Sequence, residues 1–327
     1  MAKWVSSSVL AGSPALVAKL GGDCAAMFLE AGLPPEALTS PSTPVEVSAF
    51  TRFLAMAADR LDCESFGVLL AQYQEFTLFG PLAPLFGSAM TIGELIDDLA
   101  LYFPLHTQGA VIGLVPFPDG MELRYDLAAK SGFAHRQIAE LGFAVLIKEI
   151  RRHLPDWSPE YITFRHAAPT VGRDHQRFLG PAIEYNSDRN AVFFTREQLG
   201  KPTREGSAQL HNHLIERYRG LRDTTPGTLA AAVESLVRAF MPHSTIDLPR
   251  AASLLRMSRR SLQRKLAEDG TSLMQIVDNV RADLALSYLR DSRLTVTQIG
   301  EILQFSETSA FTRAVTRWYG QSPRQLR

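Results

Sequence analysis

The chain has 327 residues, 46% of them hydrophobic and 21% charged. That length accommodates two domains with separate cores, and no apolar run approaches the roughly 20 residues that span a bilayer. The formal net charge is zero, which by itself argues against nucleic acid, but it hides an asymmetry: residues 226–327 carry 14 Lys and Arg against 9 Asp and Glu, and residues 1–225 carry 20 against 25. A basic C-terminal third joined to an acidic remainder fits a DNA-binding module attached to something else.

At the N-terminus, Lys3 precedes a weak apolar stretch over 5–16, broken by Ser6, Ser7, Ser8, Gly12, Ser13 and Pro14. That is a poor signal peptide and reads as an ordinary first segment, with cytoplasmic location expected. Cys24 and Cys63 lack zinc-site spacing and are too few for a disulfide framework. They suit a reducing compartment as small buried hydrophobes. Helices are predicted over 44–60, 91–101 and 135–153, the last with Ile138, Leu141, Val145 and Ile150 along it. Short β-branched or aromatic runs bounded by turns predict strands over 110–117, 121–127, 161–165, 183–185 and 191–194. Pro118-Asp-Gly120 is a hairpin turn between the first two. Helices over 195–199 and 209–218 follow. The result is an α+β domain built on an antiparallel sheet with helices.

Chemistry-bearing residues in this region are few. Asp97-Asp98 and Glu140 with nearby His135 read as solvated helix faces. Tyr102, Phe103, His106, Tyr125, Phe133 and His135 gather near the strand segments. Aromatic residues there are commonly core, but Tyr102, His106, Tyr125 and His135 are the candidates for lining a ligand pocket. His211-Asn-His213 places two imidazoles on different sides of a helix with no completing ligand, so no metal is expected. There is no Gly-rich phosphate loop, Gly-x-Ser-x-Gly elbow or His-Glu-x-x-His. Neither a cofactor nor an enzyme is expected, and a small-molecule enzyme in this region is the least favoured reading.

Arg219-Gly-Leu-Arg-Asp-Thr-Thr-Pro-Gly227 reads as the linker, dividing the chain into 1–222 and 223–327. Everything beyond it is predicted helical, over 229–240, 248–255, 259–268, 273–289, 296–303 and 307–319, with Asp269-Gly270 and Gly320-Gln-Ser-Pro323 as stops. A short helix, a tight turn and a polar helix occur twice. Leu255-Arg-Met-Ser258 matches Leu303-Gln-Phe-Ser306, and Leu262-Gln-Arg264 matches Phe311-Thr-Arg313 one residue further on. These are two helix-turn-helix units joined by one long helix, an all-α domain.

In the first unit Ser258 is a good N-cap, and Leu262 and Leu266 make an apolar seam. Arg260, Gln263 and Arg264 share another face at i, i+3 and i+4. Guanidiniums and amides make the bidentate contacts that read guanine and adenine in a major groove. Ser309, Thr312 and Arg313 recreate that face in the second unit. The long helix spans about 25 Å and can hold two recognition helices near one DNA turn apart, about 34 Å.

With these motifs in view, residues 228–327 resemble the DNA-binding domain of the arabinose-regulator (AraC/XylS) transcription factors. The resemblance runs through Met257 to Leu266, Gly270-Thr-Ser, Val280-Arg-Ala-Asp-Leu-Ala285, Tyr288-Leu289, Ile299 to Ser306, Ser309 to Ala314, Arg317 to Arg324 and Arg327. It implies base or backbone contacts from Arg260, Gln263 and Arg264, and from Thr308, Ser309, Thr312 and Arg313. It implies a bacterial regulator, usually an activator, with double-stranded DNA and RNA polymerase as partners, no membrane, and a homodimer in some members. Three departures stand out. Gln304 replaces a usual Gly, which costs about a kcal/mol if φ is positive there. Gly300 stands for a small Ala. Val315-Thr316 replaces a usual Phe-Lys pair. The second unit is therefore expected to bind DNA more weakly than the first. Phe178 to Tyr185, Ala191 to Phe194 and Leu199 to Pro202, with Gly32-Leu-Pro34 and 143–151, resemble more loosely the arabinose-binding-domain-like sensor of such regulators. That implies a ligand-sensing or dimerising role and a small-molecule effector. The alternative is a constitutive regulator whose first domain only dimerises.

Overall fold

The computed structural model describes residues 4–41, 43–107, 110–127, 135–224, 228–241, 247–255, 257–291 and 294–327. It divides into two compact units, one built from residues up to 112 and from 116–220, the other from 221 onward together with 113–115.

In the first unit β1 (Trp4–Ser6) pairs antiparallel with β2 (Pro44–Glu46), Val5 opposite Val45. Between them lie α1 (Ser13–Lys19) and α2 (Cys24–Ala31), the latter started by the Asp23 carboxylate on the Ala26 N–H. The apolar stretch near the N-terminus is core: Val5, Leu10, Leu16 and Val17 are buried. Helix α3 (Val47–Arg60) begins three residues later than the sequence pattern suggests, because residues 44–46 are used as a strand. Residues 44–46 pair with 4–6, and Glu46 keeps extended backbone as the N-cap, so the helix starts only at Val47. Then come α4 (Phe66–Gln72), α5 (Ala83–Ser88) and α6 (Ile92–Tyr102), the last capped by the Thr91 hydroxyl.

Strands β3 (Ala110–Phe117) and β4 (Gly120–Leu127) are joined by the expected turn at Pro118 and Asp119. Helix α7 (His135–His153), β5 (Ile162–Thr163), α8 (Arg173–Leu179), β6 (Ile183–Glu184), β7 (Ala191–Thr195), α9 (Arg196–Leu199) and α10 (Ala208–Thr224) complete the unit. The sheet order is β3-β4-β7-β5-β6. Its pairings of β4 with β7 and of β7 with β5 are antiparallel, but β5 and β6 run parallel. The long connection through α8 supplies the crossover that a parallel pair needs.

Helix α7 is the hub, packing on α3, α4, α8 and β4. Its approach to α4 depends on Gly67: a Cβ there would meet the Gln137 carbonyl oxygen at 2.2 Å, and the Gly67 N–H donates to Gln137 Oε1 at 2.7 Å. Because α7 is enclosed on several sides, Glu140 is not solvated as its sequence context suggests. It is fully buried, with His175 Nε2 at 2.9 Å, Arg136 Nε at 3.0 Å and His166 Nε2 at 3.3 Å. Asp98 is likewise buried, with its Oδ2 3.3 Å from His211 Nε2, while Asp97 is exposed. Both carboxylates stay inside because cationic or hydrogen-bonding side chains from distant segments meet them.

The expected linker is partly helix. Helix α10 runs on through Thr224, past Gly220, since a single Gly costs a helix only about 1 kcal/mol. Residues 225–227 of that stretch lie outside the described residues. The second unit contains α11 (Thr228–Phe240), α12 (Leu248–Leu254), α13 (Arg259–Glu268), α14 (Leu273–Asp291), α15 (Val296–Ile302) and α16 (Thr308–Tyr319). Ile276, Val280, Leu284, Ala285, Tyr288 and Leu289 of α14 are buried. Helix α11 is tied to it by Arg238 Nη2, 3.2 Å from Asp283.

Candidate DNA-reading surface and effector pocket

Helix α13 starts at Ser258, whose Oγ accepts from the Ser261 N–H at 3.1 Å, and stops at Gly270, where φ is 72°. Leu262 and Leu266 are buried, so the helix is seated by its apolar seam. Arg260, Gln263 and Arg264 are exposed together on another face. Among the described residues Arg260 and Gln263 have no hydrogen-bond or ion-pair partner. Arg264 Nε lies 3.6 Å from Glu268 Oε1, with both side chains about two-thirds exposed. Such a surface pair is worth about 0–1 kcal/mol, so the guanidinium can exchange it for a base edge at little cost.

The second unit is built differently. Thr295 and Gln298 form a reciprocal capping box at the start of α15. Gly300 lies against Phe311, where an added Cβ would sit 3.4 Å from the Phe311 Cβ in ordinary contact, so the usual Ala would also fit here. Gln304 takes the left-handed backbone, φ 60°, that a Gly ordinarily supplies. Its amide donates to the Met241 carbonyl at 2.8 Å, which offsets part of that cost. Thr308, Ser309 and Arg313 are exposed and Thr312 is half-buried. Ser309 Oγ donates to Glu307 Oε2 at 2.9 Å and Thr312 Oγ1 to the Thr308 carbonyl at 2.9 Å. Two of the hydroxyls are thus engaged within the helix start, beside a carboxylate that repels phosphate. Arg313 is left without an ion-pair partner among the described residues.

Sequence reasoning missed the side chains that hold α16 in place. Arg281 on α14 donates from Nε to the Leu303 carbonyl at 3.0 Å and from Nη2 to the Gln304 carbonyl at 3.3 Å. Its guanidinium also stacks 4.9 Å from the Phe305 ring centre. Asp278 accepts from Arg317 Nη2 at 2.7 Å and from Trp318 Nε1 at 3.0 Å, and Tyr319 donates to the Ala282 carbonyl. These bonds could not be paired from sequence, because the partners lie 22–40 residues apart.

The first unit contains a cavity of about 80 Å³ between α7, β3 and β4 and the segment Phe76–Leu82. Among the described residues its lining is apolar except for Gln74, His106, Thr107 and Tyr125. Of the residues singled out from sequence, Phe103, His106 and Tyr125 line it. Tyr102 is buried elsewhere, its ring centre 6.4 Å from that of Tyr218. Phe133 and the His135 side chain lie outside the described residues. Burial pushes the His106 imidazole down to about 4 and the Tyr125 phenol well above its usual value, so both are neutral near pH 7. Phe79 leads into Gly80 and Pro81, and the Pro81 carbonyl accepts from the Tyr218 hydroxyl on α10.

His211 lies 3.3 Å from both Asp98 Oδ2 and Ser88 Oγ, and His213 is exposed. Among the described residues no cluster of three or more His, Cys, Asp or Glu is arranged to hold a metal, and no helix is long and apolar enough to cross a membrane. Burial raises the Cys24 thiol to about 11 and also raises that of Cys63, so neither is an activated nucleophile.

Comparison with known proteins agrees with this architecture. The family model for the arabinose-binding domain of AraC transcription regulators, N-terminal part, matches residues 21–203, and a helix-turn-helix domain model matches residues 251–327. The HTH-type transcriptional regulator VqsM of Pseudomonas aeruginosa is 35% identical over 80% of this chain and 83% of its own. The HTH-type transcriptional regulator VirS of Mycobacterium tuberculosis is 25% identical over 95% of this chain and 93% of its own. The crystal structure of the transcriptional regulator CdpR from Pseudomonas aeruginosa covers 92% of this chain and 96% of its own, at 17% identity and a TM-score of 0.43. The chain therefore belongs to the AraC-type transcriptional regulators, with an arabinose-binding-type first domain and a helix-turn-helix domain that binds DNA.

Proposed function

We propose that this regulator reads two successive major grooves, with α13 as the stronger and α16 as the weaker recognition helix, and that a small molecule held in the first unit sets its activity. The observation that carries the reading is the pair of exposed polar faces, on α13 packed against α11 and α12 and on α16 packed against α14 and α15, linked in the chain by α14. Its 19 residues reach about 28 Å, close to the rise of one DNA turn. Arg260, Gln263 and Arg264 would contact bases or phosphates in one groove, and Thr308, Ser309, Thr312 and Arg313 in the next. Phosphate contacts would supply most of the affinity and make it salt-dependent.

The effector reading is supported by the cavity at His106 and Tyr125 and by the way its wall connects onward. Phe76, Leu78 and Phe79 line the cavity, the same segment ends at Pro81, and Pro81 is hydrogen-bonded to α10. A ligand that resets this wall acts on the helix that leads to the DNA-binding domain, shifting a pre-existing equilibrium. In a cytoplasmic activator of this kind, ligand binding would favour a DNA-bound homodimer in contact with RNA polymerase, with the dimer surface set by the first unit. The test is the affinity of the full chain for DNA selected from a random pool. Arg264→Ala should weaken specific binding by about 1–3 kcal/mol and relax one base position, and Arg313→Ala should do less. Unchanged binding in Arg264→Ala would remove α13 from its role.

A further inference from the structure

We infer that the effector is a small, uncharged, mainly apolar molecule with a single hydrogen-bonding group, held at that group by Tyr125 and His106. The inference rests on reading the first unit as a sensor, and it names the chemistry of that site.

The cavity wall decides the ligand's polarity. Val47, Phe50, Phe79, Ile112, Leu141 and Leu146 are representative, and among the described residues no Lys, Arg, Asp or Glu lines it. An isolated carboxylate or ammonium buried there would meet no counter-charge, and such burial is costly enough to exclude it. Lys148 lies nearby on α7, but its ammonium donates to the carbonyls of Gln72 at 3.0 Å and Gln74 at 2.6 Å. A sugar fails for a related reason: each of its hydroxyls needs a partner, and the wall offers few.

The polar inventory is nearly spent. Gln74 Nε2 donates to the Val9 carbonyl at 2.6 Å, and Thr107 Oγ1 donates to the Trp4 carbonyl at 3.0 Å. What remains is Tyr125, 8% exposed, and His106, 6% exposed. Among the described residues neither the Tyr125 hydroxyl nor the His106 ring has a hydrogen-bond partner. A buried polar group without a partner costs about 1–3 kcal/mol, and a ligand oxygen that reaches either one from the cavity they line relieves that cost. Because the imidazole is neutral, the pair suits a carbonyl, ester or hydroxyl rather than an anion. On the same measure of space a single water takes about 10–15 Å³, so the cavity accepts about six water-sized groups, which suits a slender chain.

The test uses the full chain and a matched set of probes: methyl propanoate, propanoate and L-arabinose. Methyl propanoate should bind saturably, at least about tenfold more tightly than propanoate, and arabinose should not bind. Tyr125→Phe should weaken the ester by roughly 3- to 10-fold, the worth of one neutral hydrogen bond, while its melting temperature stays at or above that of the parent. Gly142→Leu, which grows a side chain toward the Tyr125 ring from a position where a Cβ sits 3.6 Å away, should abolish ester binding with helix content intact. Propanoate or arabinose binding as tightly as the ester overturns the inference, as does ester binding that Tyr125→Phe and Gly142→Leu both leave unchanged. Affinity for selected DNA, measured with and without the ester, judges the sensor reading separately. Ester binding with unaltered DNA affinity keeps the pocket chemistry and removes the sensing role. No ester binding, with a charged molecule changing DNA affinity, does the reverse.

Discussion

At the residue scale, side chains on the surface of one helix were legible and buried charges were not. Ser258, Arg260, Gln263 and Arg264 lie within seven residues, and their exposure follows from helical spacing alone. Glu140 and Asp98 read as solvated because their partners, His175 and His211, sit on α8 and α10. Gln304 was legible as a strained position, and its φ of 60° bears that out. Its bond to Met241 was not. Gln304→Ala keeps the left-handed backbone and loses the bond, so it should destabilise the second unit by about 1 kcal/mol. Gln304→Gly relieves the backbone and should be more stable than Gln304→Ala by about 1 kcal/mol. Urea denaturation of both variants checks this. His106 gives a pH prediction. Its folded value lies near 4, below the ordinary 6.5, so the unfolded chain takes up the proton first and stability falls as pH drops from 6.5 toward 4. Between pH 7 and 5 the loss should reach roughly 2 kcal/mol. His106→Phe should remove much of that slope in denaturation series at the two pH values. Glu122, held low by Arg189 and Arg124 against the upward push of burial, loses its contribution only at lower pH.

At the element scale, amphipathic helices announced themselves. Helices α7, α13, α14 and α16 combine an apolar stripe with a polar face, and α13, α14 and α16 carry a cap or a glycine at an end. Helix α4 did not, because Phe66, Gly67, Val68, Leu70 and Ala71 are all buried and leave no alternation to read. The strand at Pro44–Glu46 was absorbed into a predicted helix because it is only three residues long. Parallel pairing of β5 and β6 depends on a crossover that no local pattern records. Arg281 is the clearest element-level device that sequence left hidden. It satisfies the carbonyls at the end of α15 and its turn while stacking on Phe305. Arg281→Met keeps the bulk but leaves those carbonyls without their donor. It should cost about 1–3 kcal/mol and lower DNA affinity through α16, with α13 contacts preserved. Denaturation together with base-position preferences of the variant separates those two effects.

At the scale of the whole molecule, the charge asymmetry and the repeated turn pointed to a DNA-binding regulator, and membership of the AraC-type regulators agrees with that. The two halves are not equivalent. Helix α13 presents two guanidiniums and an amide, whereas α16 presents one guanidinium and hydroxyls that are partly engaged at Thr308 and Glu307. The first unit supplies an apolar cavity whose wall is hydrogen-bonded to α10. The most direct measurement is selection of bound sequences from a random DNA pool at fixed salt, run on the parent, Arg264→Ala and Arg313→Ala. The account predicts two recognised elements about 10–10.5 base pairs apart, one strongly specified and lost in Arg264→Ala, the other weakly specified and lost in Arg313→Ala. A single element, or equal loss of both elements in either variant, would contradict it.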